Sequence, residues 1–442
     1  MSQTQSFQER FLTKLIEEYD TSLDYSGVNG KRVAERLAEL SKIGLTNEEG
    51  CNRMAFSKEE RQAKELVKTW MKEAGLVVRE DGAGNVFGRY EGQKDRSAVL
   101  SGSHVDSVPT GGHFDGPLGV LAALEVAASW KETGFQPDKP YEVVIFTDEE
   151  GARFNGGLLG SQAMVGAINV NELKQLRDFN DDPFEEVVGR DGLTLDSFTE
   201  AKRDLSDIAA FVEVHIEQGK RLEKEGLPVG VVTGIAGPSW LNISFKGEAG
   251  HAGNTPMNDR KDALIAASEF IASVKDFPPT VSSSAVATVG KVEVRPNGVN
   301  VIPGEVRLTV DIRDIQAHTK DEVVRLVIKA AEEKAAKYEI DVMINETLNV
   351  KPVVISDEMR EKAATAVENS LGLSPYLLPS GAGHDAMVVG RYVPMAMLFT
   401  QSKDGISHNP KEWSSLGDCV QTIHVLKNLI EQLCEDNGGE QK

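Results

Sequence analysis

The sequence predicts an α/β fold: a mixed, largely parallel sheet with helices on both faces, interrupted by a smaller α+β unit. Three observations carry this. Strand-like and helix-like runs alternate in the first half, as in SAVLSGSHV, GPLGVLAALEVAASW, YEVVIFTDEEG and FVEVHIEQG. Such alternation favours parallel strands joined by helical crossovers. From about Gly234 the rhythm changes to strand, helix, paired strands, helix, strand. After about Val350 the helix–strand–helix rhythm returns. The expected organisation is therefore a discontinuous domain, residues 1–233 and 350–442, with residues 234–349 inserted into it.

Each element has a local reason. Ser57 and Glu60 are spaced as a capping box ahead of the helical run KEERQAKELVKTWMKEAG,. VVRE, NVFGRY and SAVLSGSHV read as short strands. GPLGVLAALEVAASW is apolar on every side and reads as a buried helix. YEVVIFTDEEG and FVEVHIEQG are strands that end in polar residues. Lys174 to Asp207 is a polar run, expected as a surface excursion. In the insert, WLNISFKG, AVATVGKVEVRP, EVRLTVDIRD and IDVMINETL alternate as half-buried strands, and DRKDALIAASEFIASVKD and KDEVVRLVIKAAEEKAAKY have helical period,. A long amphipathic helix is expected from Ser414 onward.

The totals narrow the partners. The 442 residues exceed one ordinary core,. Net charge is -21, which repels phosphate backbones and anionic membranes, so no nucleic acid and no membrane partner is expected,. Cys51, Cys419 and Cys434 are scattered, without a disulfide framework or a cysteine metal site,. The N-terminus lacks the apolar run of a signal peptide, and no stretch reaches membrane-spanning length. A cytoplasmic protein is the expectation.

In a parallel sheet, sites form beyond the carboxyl ends of strands. Three runs place polar residues there: SHVDS, FTDEEG and VEVHIEQG. His104 and Asp106 lie two apart, so on a strand they share a face, and a carboxylate beside a ligating histidine fixes its ring. Asp115 follows in a Gly-rich loop able to fold close to His104. Asp148, Glu149 and Glu150 repel one another unless solvated or neutralised by cations. Adjacent glutamates suit two tasks, one ligating metal while its neighbour moves protons. His215 alternates with Glu213, and His408 lies in the polar loop DGISHNPKEW. His104, Asp115, Glu150, His215 and His408 are the candidate metal ligands. Mixed imidazole and carboxylate donors suit Zn, Mn, Co or Ni.

SHVDS, GGHFDGPLGV, FTDEEGARF, HIEQG, GHAGNTPM, GVNVIPGEV, DIRD, SGAGHDAM and SHNPKEW occur in this order. Together they resemble the M20 metallopeptidase clan, and more narrowly its hydantoinase/carbamoylase branch, from about Gly44 to the C-terminus. The resemblance implies two divalent metal ions per subunit. His104 and His215 would share one, Glu150 and His408 the other, with Asp115 bridging. Glu149 would be the general base and Asp106 would orient His104. The insert would be a lid and dimerisation domain in a homodimer. His251, Asn300, Arg313, Gln218 and the backbone at Gly383 would contact a small-molecule substrate, with His251 also catalytic. The implied reaction is hydrolysis of an N-carbamoyl-L-amino acid to the amino acid, ammonia and carbon dioxide.

The residue types agree. Arg313 can clamp a carboxylate, Asn300 both donates and accepts, and His251 can donate to an oxyanion. Alternatives stay open: Arg313 can pair with Asp311 or Asp314, Asn300 can be a turn residue, and His384 beside Asp385 can be a cap or a support for a ligand. His113 in GGHFDG departs from the branch pattern and reads as an extra ligand or, better, a residue facing substrate. Ser239 in GPSW departs too. Allantoate amidohydrolase and β-ureidopropionase are rival activities on the same ligands. An inactive metal-binding scaffold is the rival from another class, and it conflicts with the retention of Glu149 and all five ligands.

Overall fold

The computed structural model describes residues 6–94 and 97–435 and divides into two compact units. The first comprises Met1–Val232, Ile355–Leu378 and His384–Lys442; the second comprises Thr233–Val354 and Pro379–Gly383.

In the first unit, β1 (Val77–Glu80), β2 (Val86–Tyr90), β3 (Ala98–His104), β4 (Tyr141–Phe146), β5 (Ile208–Ile216) and β6 (Val229–Ile235) join a late strand, Met395–Thr400. The order is β1-β2-β4-β3-β5, then Met395–Thr400, then β6. The central four strands run parallel, because β3 pairs in parallel with β4 and β5, and β5 with Met395–Thr400. The pairs toward both edges are antiparallel. Every residue of β3, β4 and Met395–Thr400 is buried, so both faces of the sheet centre are covered,. The mixed α/β class expected from the sequence is what forms.

The helices follow their sequence signals. Helix α1 spans Phe7–Ile16 behind a Ser6 capping box, and α2 spans Gly30–Leu40. Helix α3 spans Lys58–Glu73, with the Ser57 side chain accepting from Glu60 N. Only half of the expected capping box closes. Glu60 accepts from Phe56 N and pairs with the buried Lys64 instead of reaching Ser57 N. Helix α4 spans Pro117–Thr133, starts with proline at its first turn and is buried almost throughout,. The last helix is Leu416–Cys434, capped by Ser415.

Lys174 to Asp207 departs from the expectation. It forms short helices at Phe184–Gly189 and Leu195–Glu200. Phe184, Val187 and Phe198 are buried with Phe56 and Phe154 in a core of their own. The apolar residues were too sparse to show a period, but the aromatic rings supply enough area to fold the run into the unit.

In the second unit, β7 (Gly237–Lys246), β9 (Val286–Arg295), β11 (Glu305–Asp314) and β12 (Asp341–Asn349) form an antiparallel sheet. Its order is β12-β7-β11-β9. A two-residue ladder joins β8 (Gly250–His251) to β10 (Val301–Ile302). Strand β7 alternates buried and less buried residues, so one face meets the core,. That core takes Leu241, Ile243 and Phe245 from the sheet, and Phe270 and Val327 from helices Ala263–Val274 and Ala317–Lys337. No helix among the described residues is long and apolar enough to cross a membrane.

Candidate metal centre

Four adjacent parallel strands deliver the candidate residues. Strand β3 ends at His104, β5 carries His215 near its end, and the turn after β4 holds Glu149 and Glu150. His408 lies in the loop beyond Met395–Thr400, the fourth parallel strand. The loop was expected from the sequence; that it follows a neighbouring strand's carboxyl end is a product of the sheet order.

Two groups of ligand atoms form around Asp115. One is His104, Asp115 and His215; the other is Asp115, Glu150 and His408; within each the donor atoms lie within 4.8 Å of one another. Asp115 Oδ1 lies 3.1 Å from His215 Nε2 and 3.6 Å from His104 Nε2. Its Oδ2 lies 3.6 Å from His408 Nε2, which is 3.3 Å from Glu150 Oε2. One carboxylate thus offers a separate oxygen to each group.

The histidines are prepared as acceptors. His104 Nδ1 lies 3.0 Å from the Asp106 carbonyl, and His215 Nδ1 lies 3.0 Å from the Ile216 carbonyl. A carbonyl only accepts, so each Nδ1 carries a proton, and Nε2 is the nitrogen each ring turns toward Asp115,. His104 Nε2 is buried and has no hydrogen-bond partner. An unpartnered His104 Nε2 and a His215 Nε2 turned to the same Asp115 carboxylate fit a divalent cation of the imidazole- and carboxylate-binding kind,.

Asp106 does more than its expected task. Its carboxylate is 3.5 Å from His104 Nδ1, and it accepts the backbone N–H groups of Glu149 at 3.3 Å and Glu150 at 3.2 Å. It therefore holds the β4 turn as well as facing His104. Strand β3 stops before Asp106, so contact through its backbone carbonyl replaces the shared strand face that the spacing suggested. Asp148, Gln218 and His408 all adopt positive φ.

Gly116, with φ of +82°, opens α4 because a Cβ there would meet the His104 ring about 2.5 Å from Nδ1. Gln218 Nε2 donates to Asp115 Oδ2 at 2.7 Å, and Ser407 Oγ donates to the same oxygen at 2.6 Å. Ser407 carries no sequence signal beyond its place next to His408.

The electrostatics are those of a cation site. Asp106, Asp115, Glu149 and Glu150 crowd together, and among the described residues no lysine or arginine pairs with them. Glu149 Oε2 lies 3.7 Å from His104 Nε2 and belongs to neither ligand group. Burial pushes the Glu149 carboxyl well above its usual range. Burial, with repulsion from Asp115, pushes Glu150 up to about 8. Burial opposes ionisation of Asp115 too, but His215 and His104 hold its carboxyl well below the usual range. Burial disfavours charge on His104, yet Glu149, Asp106 and Glu150 outweigh it and hold the ring's pKa well above 6.5. Protons thus collect where positive charge is needed, and a divalent cation would compete with them.

Other candidates lie in the second unit. His251 Nδ1 accepts from Gly253 N and Asn254 N at 3.1 and 3.2 Å, which leaves the proton on Nε2,. His251 pairs with Val301 in the β8–β10 ladder, and the Asn300 carbonyl accepts from Ala252 N. Asn300 lies in a turn. Arg313 adopts the alternative pairing: it forks onto Asp311 at 2.8–3.1 Å and donates to the Gly381 carbonyl at 2.8 Å. A Cβ on Gly383 would meet nothing within 4 Å. Ser239 is buried, with no partner for its hydroxyl.

His113 and His384 belong to neither ligand group. His113 is enclosed in an aromatic cluster. Its ring packs with Phe7 and Phe11 at centroid distances of 5.2 and 5.3 Å, and its Nε2 meets the Glu49 carbonyl at 3.0 Å. Burial lowers its pKa to about 4. His384 sits at the N-cap of Asp385–Val389 without a side-chain capping bond; its ring instead packs 4.5 Å from that of His215.

The chain is similar to several known proteins. Residues 100–432 match the model of peptidase family M20/M25/M40. The chain is 42% identical to an N-carbamoyl-L-amino acid amidohydrolase of Geobacillus stearothermophilus over 92% of its length and 99% of the relative's. It is 36% identical to an allantoate amidohydrolase of Bacillus subtilis over 91% of its length and 97% of the relative's. The solved structure of a hydantoinase/carbamoylase family amidase from Burkholderia multivorans superposes with a TM-score of 0.87 at 35% identity, covering 92% of this chain and 99% of that one.

Proposed function

The chain belongs to peptidase family M20/M25/M40, in its hydantoinase/carbamoylase branch, and we propose that it hydrolyses the carbamoyl amide of N-carbamoyl-L-amino acids. As a member of that branch it is a hydrolase of C–N bonds other than peptide bonds. The observation that carries the finer reading is the pair of ligand groups sharing Asp115, with Glu149 left outside both.

His104, Asp115 and His215 would hold one divalent ion, and Asp115, Glu150 and His408 the second. Such ions lower the pKa of water toward neutrality and polarise a carbonyl oxygen. Glu149 takes a proton from water as its oxygen attacks the carbamoyl carbon. A buried carboxyl with a raised pKa is suited to hold that proton and return it,. Glu149 then passes it to the amino-acid nitrogen as that C–N bond breaks, and the carbamic acid released falls apart as its remaining C–N bond breaks, giving ammonia and carbon dioxide. Water consumed, the products are the amino acid, ammonia and carbon dioxide. His251, protonated on Nε2, donates to the oxygen on which charge develops. In this reading Arg313, Asn300 and Gln218 would hold the amino-acid carboxylate, and the backbone at Gly383 would contact substrate. Asp106 keeps His104 and the Glu149–Glu150 turn in register. The second unit would serve as lid and dimerisation domain, in a cytoplasmic homodimer.

Allantoate amidohydrolase is the second reading, supported by the Bacillus subtilis relative. The test is ammonia release by metal-reconstituted protein from N-carbamoyl-L-methionine, N-carbamoyl-β-alanine and allantoate. The reading expects the first to be cleaved with the highest kcat/KM. Preference for allantoate would replace it with the second reading, and no release from any would sink both.

A further inference from the structure

Glu412 is a buried carboxylate that no catalytic step uses. It is only 3% exposed. Its Oε1 accepts two backbone N–H groups, from Phe114 at 2.8 Å and Asp115 at 3.0 Å. Its own backbone N–H donates to the Asn409 carbonyl, one residue past His408. Trp413 follows and packs edge-on against Phe114, with ring centroids 5.4 Å apart. Gly112 permits the approach, because any side chain there would run into the Glu412 carboxyl. One side chain therefore ties the loop carrying Asp115 to the loop carrying His408.

We infer that Glu412 is a positioning residue that fixes the Asp115 backbone relative to His408, and thereby sets the cation affinity of the Asp115–Glu150–His408 group. The inference rests on the two-group metal reading above.

The two groups differ in what else holds them. His104 and His215 sit on β3 and β5, are at most 2% exposed and are anchored through Nδ1. His408 lies in a loop at positive φ, and its side chain is 48% exposed. Loosening Glu412 frees Asp115 in the first group, but both Asp115 and His408 in the second. The second group should lose more.

Position and charge can be separated. Glutamine keeps an acceptor oxygen at the same reach and removes the charge. Aspartate keeps the charge and falls one methylene short. A positioning role is rescued by glutamine; a role through negative charge is rescued by aspartate.

The experiment is a calorimetric titration of chelator-stripped protein with manganese(II), for wild type and for Glu412→Gln, Glu412→Asp, Glu412→Ala and His408→Ala. Circular dichroism confirms that each is folded. Wild type should take up two equivalents, and His408→Ala should lose one. Glu412→Gln should bind both within about threefold of wild type. Glu412→Asp and Glu412→Ala should weaken the equivalent lost in His408→Ala by about 10–100-fold, the usual effect of removing a support behind a ligand, and the other equivalent less. If Glu412→Ala does not fold, the Gln and Asp variants decide. Unchanged affinities in Glu412→Asp, or weakening in Glu412→Gln, would overturn the positioning role while leaving the two-group reading intact. Wild type binding no manganese, or His408→Ala binding as wild type does, would overturn that reading and this inference with it.

Discussion

Replacing Gly116 by alanine should displace one histidine ring and little else. The new methyl group would meet the His104 ring, with Nδ1 at 2.5 Å and Nε2 at 2.6 Å. Ordinary contact begins near 3.4 Å, so the ring must retreat by about 0.9 Å,. It cannot do so and keep the 3.0 Å bond from Nδ1 to the Asp106 carbonyl. A ligand misplaced by that much, deprived of its support, should weaken cation binding by about 10–100-fold and lower turnover by roughly 100-fold. Backbone strain at a φ of +82° adds a general cost on the order of 1–3 kcal/mol,. Gly134, at the other end of α4, separates the two effects. It also has positive φ, +72°, but its Cβ would meet nothing within 4 Å. Gly134→Ala should cost about 1–2 kcal/mol of stability and leave cation binding unchanged. Urea unfolding measures the strain in both variants, and calorimetric titration with manganese(II) measures the binding. If Gly116→Ala binds the cation as Gly134→Ala does, the His104 ring is not a ligand held by this contact.

Further outcomes are specific to single residues. Glu149→Gln should lower kcat by roughly 100- to 10,000-fold while metal content stays at the wild-type level; near-normal turnover would remove Glu149 as the base. Arg313→Ala should raise KM for carboxylate-bearing substrates by roughly 10- to 100-fold, the worth of a charge-assisted forked contact, with kcat little changed; an unaltered KM would leave Arg313 as the partner of Asp311 only. His424 should carry part of the acid sensitivity. Burial lowers its pKa below the ordinary 6.5, while its Nε2 meets the Leu23 carbonyl at 2.8 Å. The folded state therefore resists a proton that the unfolded chain accepts. The stability this confers is complete above about pH 6.5 and is lost as pH falls through the depressed folded value. The stability gap between wild type and His424→Gln should be smaller at pH 5.5 than at pH 7.5 in urea unfolding, and an unchanged gap would count against it.

The fold was readable wherever period and composition act locally. The apolar run before Asp148 makes β4 an interior strand, and the all-round apolar GPLGVLAALEVAASW makes α4 a buried helix. Polar residues at strand ends pointed to where His104, Glu150 and His215 gather, because parallel strands bring their carboxyl ends to one side. What escaped depends on partners distant in sequence. Glu412 and Ser407 meet Asp115 from almost 300 residues away, through backbone and hydroxyl groups that leave no spacing signature. His113 has sequence neighbours that suit chemistry, but Phe7 and Phe11 of α1 enclose it. Asp106 was assigned to His104 by spacing, and the amides of Glu149 and Glu150 claim its carboxylate as well.

The most direct test of the account is cation stoichiometry measured together with ammonia release. Chelator-stripped protein is titrated with manganese(II) while N-carbamoyl-L-methionine turnover is followed. Two equivalents per chain should bind, and ammonia release should require both, with His215→Ala and His408→Ala each losing one equivalent and the activity. Full ammonia release by stripped protein, or by either variant, would contradict a reaction built on two ions sharing Asp115.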